Sequence, residues 1–72
     1  EPGTFLHEVA VSRENDAAKV QRLYLAALAR RPSGQESAMA LRLWQARGGD
    51  TPAALQDLWW ALLNSNEFIL NH

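Results

Sequence analysis

Apolar residues recur at intervals of three and four through Val20, Leu23, Tyr24, Ala27 and Leu28. That spacing puts them on one face of a helix. Asn15 or Ser12 can cap its start, and Glu14 and Asp16 complement the positive helix end. Lys19 and Arg22 are expected on the polar side. Arg30 and Arg31 are expected to complement the negative end before Pro32 stops the run.

The next segment opens with Ser33 and Glu36, which have the spacing of a capping box. The hydroxyl accepts from the amide three residues on, and the carboxylate reaches back to the cap amide. Ala40, Leu41 and Trp44 form the apolar stripe, flanked by Met39 and Leu43. Gly48-Gly49 ends the helix, because glycine accepts a left-handed backbone. Thr51 is the expected cap of a third helix, with Pro52 at its first position. Leu55, Leu58, Trp59 and Leu62 line one face of that helix, and Trp60, Ala61 and Leu63 carry the apolar surface further round.

Asn64 and Ser65 form an expected joint: a left-handed cap at Asn64, and Ser65 capping a last turn. Phe68, Ile69 and Leu70 would fold back from it as a lid, with Glu67 complementing the amides of that turn. Near the amino terminus, Glu1-Pro2-Gly3 reads as a breaker. Thr4 then caps at most two turns through Phe5, Leu6, Val9 and Ala10. No strand alternation, internal repeat or low-complexity tract interrupts this pattern. The expected fold is all-α. Residues 15–72 form a small three-helix bundle with a terminal turn, and residues 1–14 form an amino-terminal segment with a short helix.

Length sharpens the picture. A 72-residue chain holds one domain, and a domain of that size buries only about 60% of the surface its unfolded chain exposes. It has no cysteine, so disulfides and thiolate metal sites are excluded. His7 and His72 lie near opposite ends without zinc-type spacing and are expected at the surface. The charge of −1 offers no electrostatic reason for nucleic-acid binding. No apolar run approaches the roughly 18 residues of a membrane span. The chain opens on Glu1 and its single methionine is Met39. It is therefore expected to be part of a longer protein.

Candidate chemistry is sparse. Ser12, Ser33, Ser37 and Ser65 have no histidine nearby in sequence to activate them. Asp50 and Asp57 do not make a convincing acid–base pair, and Asp57 is expected to pair with Arg22 or Arg42. Arg30, Arg31, Arg42 and Arg47 read as helix-end and solubility charges. A helix-turn-helix is disfavoured, because the third helix has no Arg or Lys to meet phosphate or base. From Leu58 to Asn66 no residue is charged. A helix so apolar around its circumference is normally covered on more than one side. Trp59, Trp60, Leu63 and Phe68 are therefore the candidate docking surface. Ser33, Glu36, Thr51, Asn64 and Ser65 are assigned to helix capping. No catalytic, metal-binding or cofactor-binding residue is assigned.

Two stretches carry a family resemblance. Residues 23–36 read LYLAALARRPSGQE and residues 54–72 read ALQDLWWALLNSNEFILNH. Together they resemble the carboxy-terminal end of the bacterial domain-of-unknown-function family 1553. The matching positions are Leu23, Tyr24, Leu25, Leu28, Arg30 or Arg31, Pro32 and Ser33. In the tail they run through Ala54, Leu55, Asp57, Leu58, Trp60 to Ser65, Glu67, Phe68, Asn71 and His72. The resemblance spans about residues 20–72, and Trp59 departs from the pattern.

It implies a large, exported, multidomain bacterial parent, hence an extracytoplasmic setting, and no established activity. Such a module would be non-enzymatic. It would close the carboxy terminus by docking to the preceding domain or a protein partner, or as a homodimer of the isolated piece. The alternative is an accessory wall in an enzymatic or haem-linked electron-transfer parent whose active site lies elsewhere. On the two indoles the lines of reasoning diverge. Periodicity sends Trp59 into the core and lays Trp60 on the amino-terminal segment, whereas the resemblance favours Trp60 as the core residue.

Overall fold

A computed structural model describes residues 2–70. Five helices follow in order: α1 (Pro2–Val11), α2 (Asp16–Leu28), α3 (Gly34–Ala46), α4 (Thr51–Leu63) and α5 (Asn66–Leu70). Among the described residues there is no strand. The all-α bundle expected from periodicity is what forms. α2 and α4 make the central pair. α1 packs on both from one side, α3 packs on both from the other, and α5 bridges them near the end of the chain. The backbone spans 32 × 28 × 17 Å. The thin dimension leaves the outer face of α4 without a further layer above it.

The core is Val9 from α1, Val20, Leu23, Tyr24 and Ala27 from α2, Ala40 and Trp44 from α3, and Ala54, Leu55, Leu58 and Leu62 from α4. Leu23, Leu55, Val9 and Val20 are the largest side chains entirely removed from solvent. Full burial of such a side chain is worth about 1.5–3 kcal/mol. In so small a domain these few residues form a large share of the stabilisation.

α1 is a fuller member of the bundle than two turns would be. It begins at Pro2 and runs for 10 residues, placing Thr4 within the helix. Proline suits a first helical turn, where its missing N–H is not needed. Phe5, Leu6 and Ala10 pack half-buried on the core around Val9. Packing therefore extends a segment too short to be stable alone.

Lys19 corrects the expectation that it faces outward. It is only 7% exposed, and its Nζ donates to the Ala10 carbonyl at 2.9 Å. That carbonyl lies in the last turn of α1, where it has no intrahelical donor. The side chain is buried while its ammonium caps a helix end that also favours positive charge.

Helix ends follow local chemistry. Asn15 caps α2, its Oδ1 accepting from the Ala18 amide at 2.9 Å. α3 ends in a pair of bonds from Gly48 N–H to Gln45 O and from Gly49 N–H to Trp44 O, both 3.0 Å. Both glycines have positive φ, 63° and 81°. This is the double-bonded glycine ending that Gly48-Gly49 predicts. α2 stops at Leu28, short of the expected Arg31, because Ala29 turns left-handed at φ 58°. An L-residue is strained there, and the exposed methyl gains nothing in packing.

Ala29→Gly removes that strain. It should raise the unfolding free energy by about 0.5–1 kcal/mol, partly offset by the freer unfolded chain. Urea denaturation followed by circular dichroism measures the gain.

Candidate functional site

The outer face of α4 is the part of the surface that sequence reasoning singles out. At about 100° per residue, Ala54, Leu55, Leu58 and Leu62 define the inward direction, and Trp60 points roughly opposite to it. Trp60 is 70% exposed. Trp59 turns back toward α1 and is half-buried. Its ring meets Phe5 with centroids 5.3 Å apart and planes inclined by 50°, within the range of favourable tilted aromatic pairs. Its Nε1 is buried with no acceptor among the described residues.

Periodicity sends Trp59 into the core, but it stops at the core's edge, half-buried against Phe5 of α1. Two expectations about Trp60 are corrected. It does not pack on the amino-terminal segment, because Trp59 takes that place. Nor is it the core residue that the family pattern favours. Neighbouring helical side chains diverge too far for α1 to reach both.

Gln56, Asp57, Trp59, Trp60 and Leu63 line an open groove of about 440 Å³ on this face. Three of the four candidate docking residues therefore meet in one place. Phe68 does not join them, because it folds back half-buried against the core. Of the lid expected around it, Ile69 and Leu70 stay 58% and 82% exposed. Asp57 makes its pair with Arg47, whose Nε donates to Oδ2 at 2.7 Å. Arg22 pairs instead with Glu14 at 2.8 Å. Asp57 therefore takes neither expected partner, since the tight turn after α3 brings Arg47 to it. The guanidinium lowers the Asp57 pKa from its ordinary value.

The capping residues divide. Ser33 and Glu36 form the reciprocal box: Glu36 N–H donates to Ser33 Oγ at 3.1 Å, and Ser33 N–H donates to Glu36 Oε1 at 2.8 Å. Thr51 is not the cap of α4. Asp50 is, its Oδ1 accepting from the Ala53 amide at 3.2 Å. The Thr51 hydroxyl instead accepts a long bond, 3.4 Å, from the buried Trp44 indole, and Pro52 moves to the second helical position. Asn64 ends α4 at φ −99°, not left-handed, with its Nδ2 donating to Trp60 O at 2.8 Å. Ser65 acts as expected, since its Oγ accepts from the Phe68 amide at 3.2 Å and also donates to Leu62 O at 2.7 Å.

The strongest polar feature was not legible in the sequence. Arg30 is not merely a helix-end charge. Its Nη1 and Nη2 donate to the two Glu36 oxygens at 2.9 and 3.0 Å. Its Nε and Nη2 donate to the two Glu67 oxygens at 2.7 and 2.8 Å. Nη1 also reaches the Arg31 carbonyl at 3.0 Å. All five guanidinium donors are thus engaged, in the forked geometry that arginine alone provides. The Arg30 Cζ lies 5.7 Å from the Tyr24 ring centroid, close enough for a cation–π contact. Left-handed Ala29 is what turns Arg30 back over this ring. Glu67 therefore serves this pair, 37 residues away in sequence, beyond the local amide role expected for it.

The electrostatics follow from that geometry. Arg30, and then the Ser33 amide, depress the Glu36 carboxyl to about 2 from an ordinary 4.5. The Arg30 bonds also lower Glu67. Burial, then Glu36, raises the Tyr24 hydroxyl. His7 is exposed, and His72 and Asn71 lie outside the described residues. Among the described residues, no three His, Cys, Asp or Glu side chains cluster as metal ligands would, and no helix is long and apolar enough to cross a membrane. The chain finds no match among protein-family models, curated proteins or solved structures.

A carboxyl that is more acidic in the folded state stabilises the fold above its unfolded pKa. That contribution fades as pH falls toward the folded value. Thermal midpoints should therefore drop between the ordinary 4.5 and the depressed value of about 2 for Glu36. Glu36→Gln should start lower at neutral pH and lose part of that acid dependence. Melting curves taken from pH 7 downward test both arms.

Proposed function

We propose that the chain is a non-enzymatic helical module whose outward α4 face docks against protein. The covering surface belongs to the preceding domain of a longer bacterial polypeptide or to a separate protein partner. The observation that carries this reading is Trp60, 70% exposed and lining a mostly apolar groove with Trp59 and Leu63. A large aromatic held in water on a rigid helix, beside other apolar side chains, has the character of an interface anchor. The charged residue of the groove, Asp57, is already paired with Arg47, which leaves the face without a strong charge preference.

The resemblance of residues 20–72 to the end of family 1553 supports the same reading. It also supports an extracytoplasmic setting and a carboxy-terminal position in the parent. The lack of Arg or Lys on α4 argues against nucleic acid.

Tryptophan quenching provides the test. In the 72-residue chain acrylamide should reach Trp60 and spare Trp44, which is 4% exposed. In the natural full-length protein or the partner complex, Trp60 should become shielded. Trp60→Ala should change the unfolding free energy of the isolated chain by no more than about 0.5 kcal/mol, yet release the module in the longer protein to limited proteolysis. Equal quenching of Trp60 in both settings, or a natural protein no longer than this chain, overturns the reading. Native mass spectrometry at high concentration separates it from self-pairing, which would give a dimer lost in Trp60→Ala.

A further inference from the structure

We infer that α5 is a charge-latched strap that swings away from the α2–α4 pair as a unit while α1 to α4 stay folded. The inference is independent of the docking reading. None of the five residues of α5 is fully buried. Glu67, bound by two hydrogen bonds to Arg30, and half-buried Phe68 tie it to the body. A segment with so little buried apolar surface belongs to the low-stability end of local opening.

The joint is built to allow this. The Asn64 amide and its Nδ2 both donate to the Trp60 carbonyl, and Ser65 Oγ donates to Leu62 O. Two carbonyls in the last turn of α4 are therefore bonded by the joint residues Asn64 and Ser65 and not by α5, and these bonds do not need α5 in place. The receptor side is equally self-sufficient. Without Glu67, Arg30 still holds both Glu36 oxygens, the Arg31 carbonyl and the face of Tyr24. It stays aimed at the place Glu67 vacates, so the latch can close again. Glu36 is fixed in turn by Ser33. Opening uncovers the apolar seat of Phe68 on the core.

Residue-resolved amide exchange on the 72-residue chain tests the strap. Once detached, a five-residue helix is too short to stay helical in water. The Ile69 amide, which donates to the Ser65 carbonyl at 3.1 Å, therefore loses its protection when the strap opens and is the probe. Raising ionic strength from about 0.01 to about 1 M shortens the screening length from about 30 to about 3 Å. Ile69 protection should then fall roughly two- to fivefold, as expected for loss of a part-exposed ion pair. Protection at Leu23 and Leu58 should change by less. Glu67→Gln should produce the fall already at low salt and remove the salt response, whereas Asp57→Asn, which breaks the Arg47 pair on α4, should leave Ile69 unchanged. Ile69 moving in step with Leu58 would make α5 part of the cooperative body and overturn the inference. Protection at Ile69 indifferent to both salt and Glu67→Gln overturns it equally.

Discussion

Apolar side chains extend around most of α4, and the arrangement of the other helices follows from covering them. A chain of 72 residues has few ways to enclose a helix that is greasy on nearly every side. Here Leu55, Leu58 and Leu62 of α4 enter the core shared with α2, while α1 and α3 flank the α2–α4 pair without packing on each other. Two flanking helices and one central partner close roughly the inner half of the circumference. The remaining arc carries Trp60 and Leu63. It stays open because no further helix among the described residues lies on it.

The divergence of the two indoles is a direct result. Trp59 gains an aromatic partner in Phe5, and that contact helps make α1 a real member of the bundle. Trp60 projects into solvent one position later. On the docking reading, the surface that completes α4 comes from another domain or protein. The geometry is then that of an unfinished layer, flat along one dimension of 17 Å, which a neighbouring layer would finish.

Polar contacts organise the corner where α2, α3 and α5 meet. Arg30 joins the turn after α2, the first turn of α3 and the final helix through one planar group. Glu36 answers both to Arg30 and to the Ser33 amide. Helix capping and tertiary connection therefore share one carboxylate, and the corner between α2 and α3 is held more firmly than its five-residue length suggests. The proposed strap uses that rigidity, since a latch needs a receptor that does not move when its partner leaves.

Much of this was readable from residue types and their spacing. Periodicities of three and four located α2, α3 and α4, because only a helix brings those side chains together. Ser33 with Glu36, Gly48-Gly49 and Ser65 announced their helix ends, because such signals act within a few residues of backbone. Where a local signal was ambiguous the reading slipped by one position. Asp50 and Thr51 both suit a cap, and the choice fell to Asp50 because Trp44 occupies the Thr51 hydroxyl. The inward turn of Lys19, the left-handed Ala29 and the pairing of Arg30 with Glu67 had no such local signature. Each depends on where a distant backbone or side chain comes to rest. The chain alone determined that it is all-α, where its main helices lie and that α4 is too apolar to cover easily, since these rest on interactions a few residues long. Tertiary packing alone decided which indole meets α1, which charges meet and which arc of α4 stays open, because those outcomes depend on distances between segments far apart in the chain.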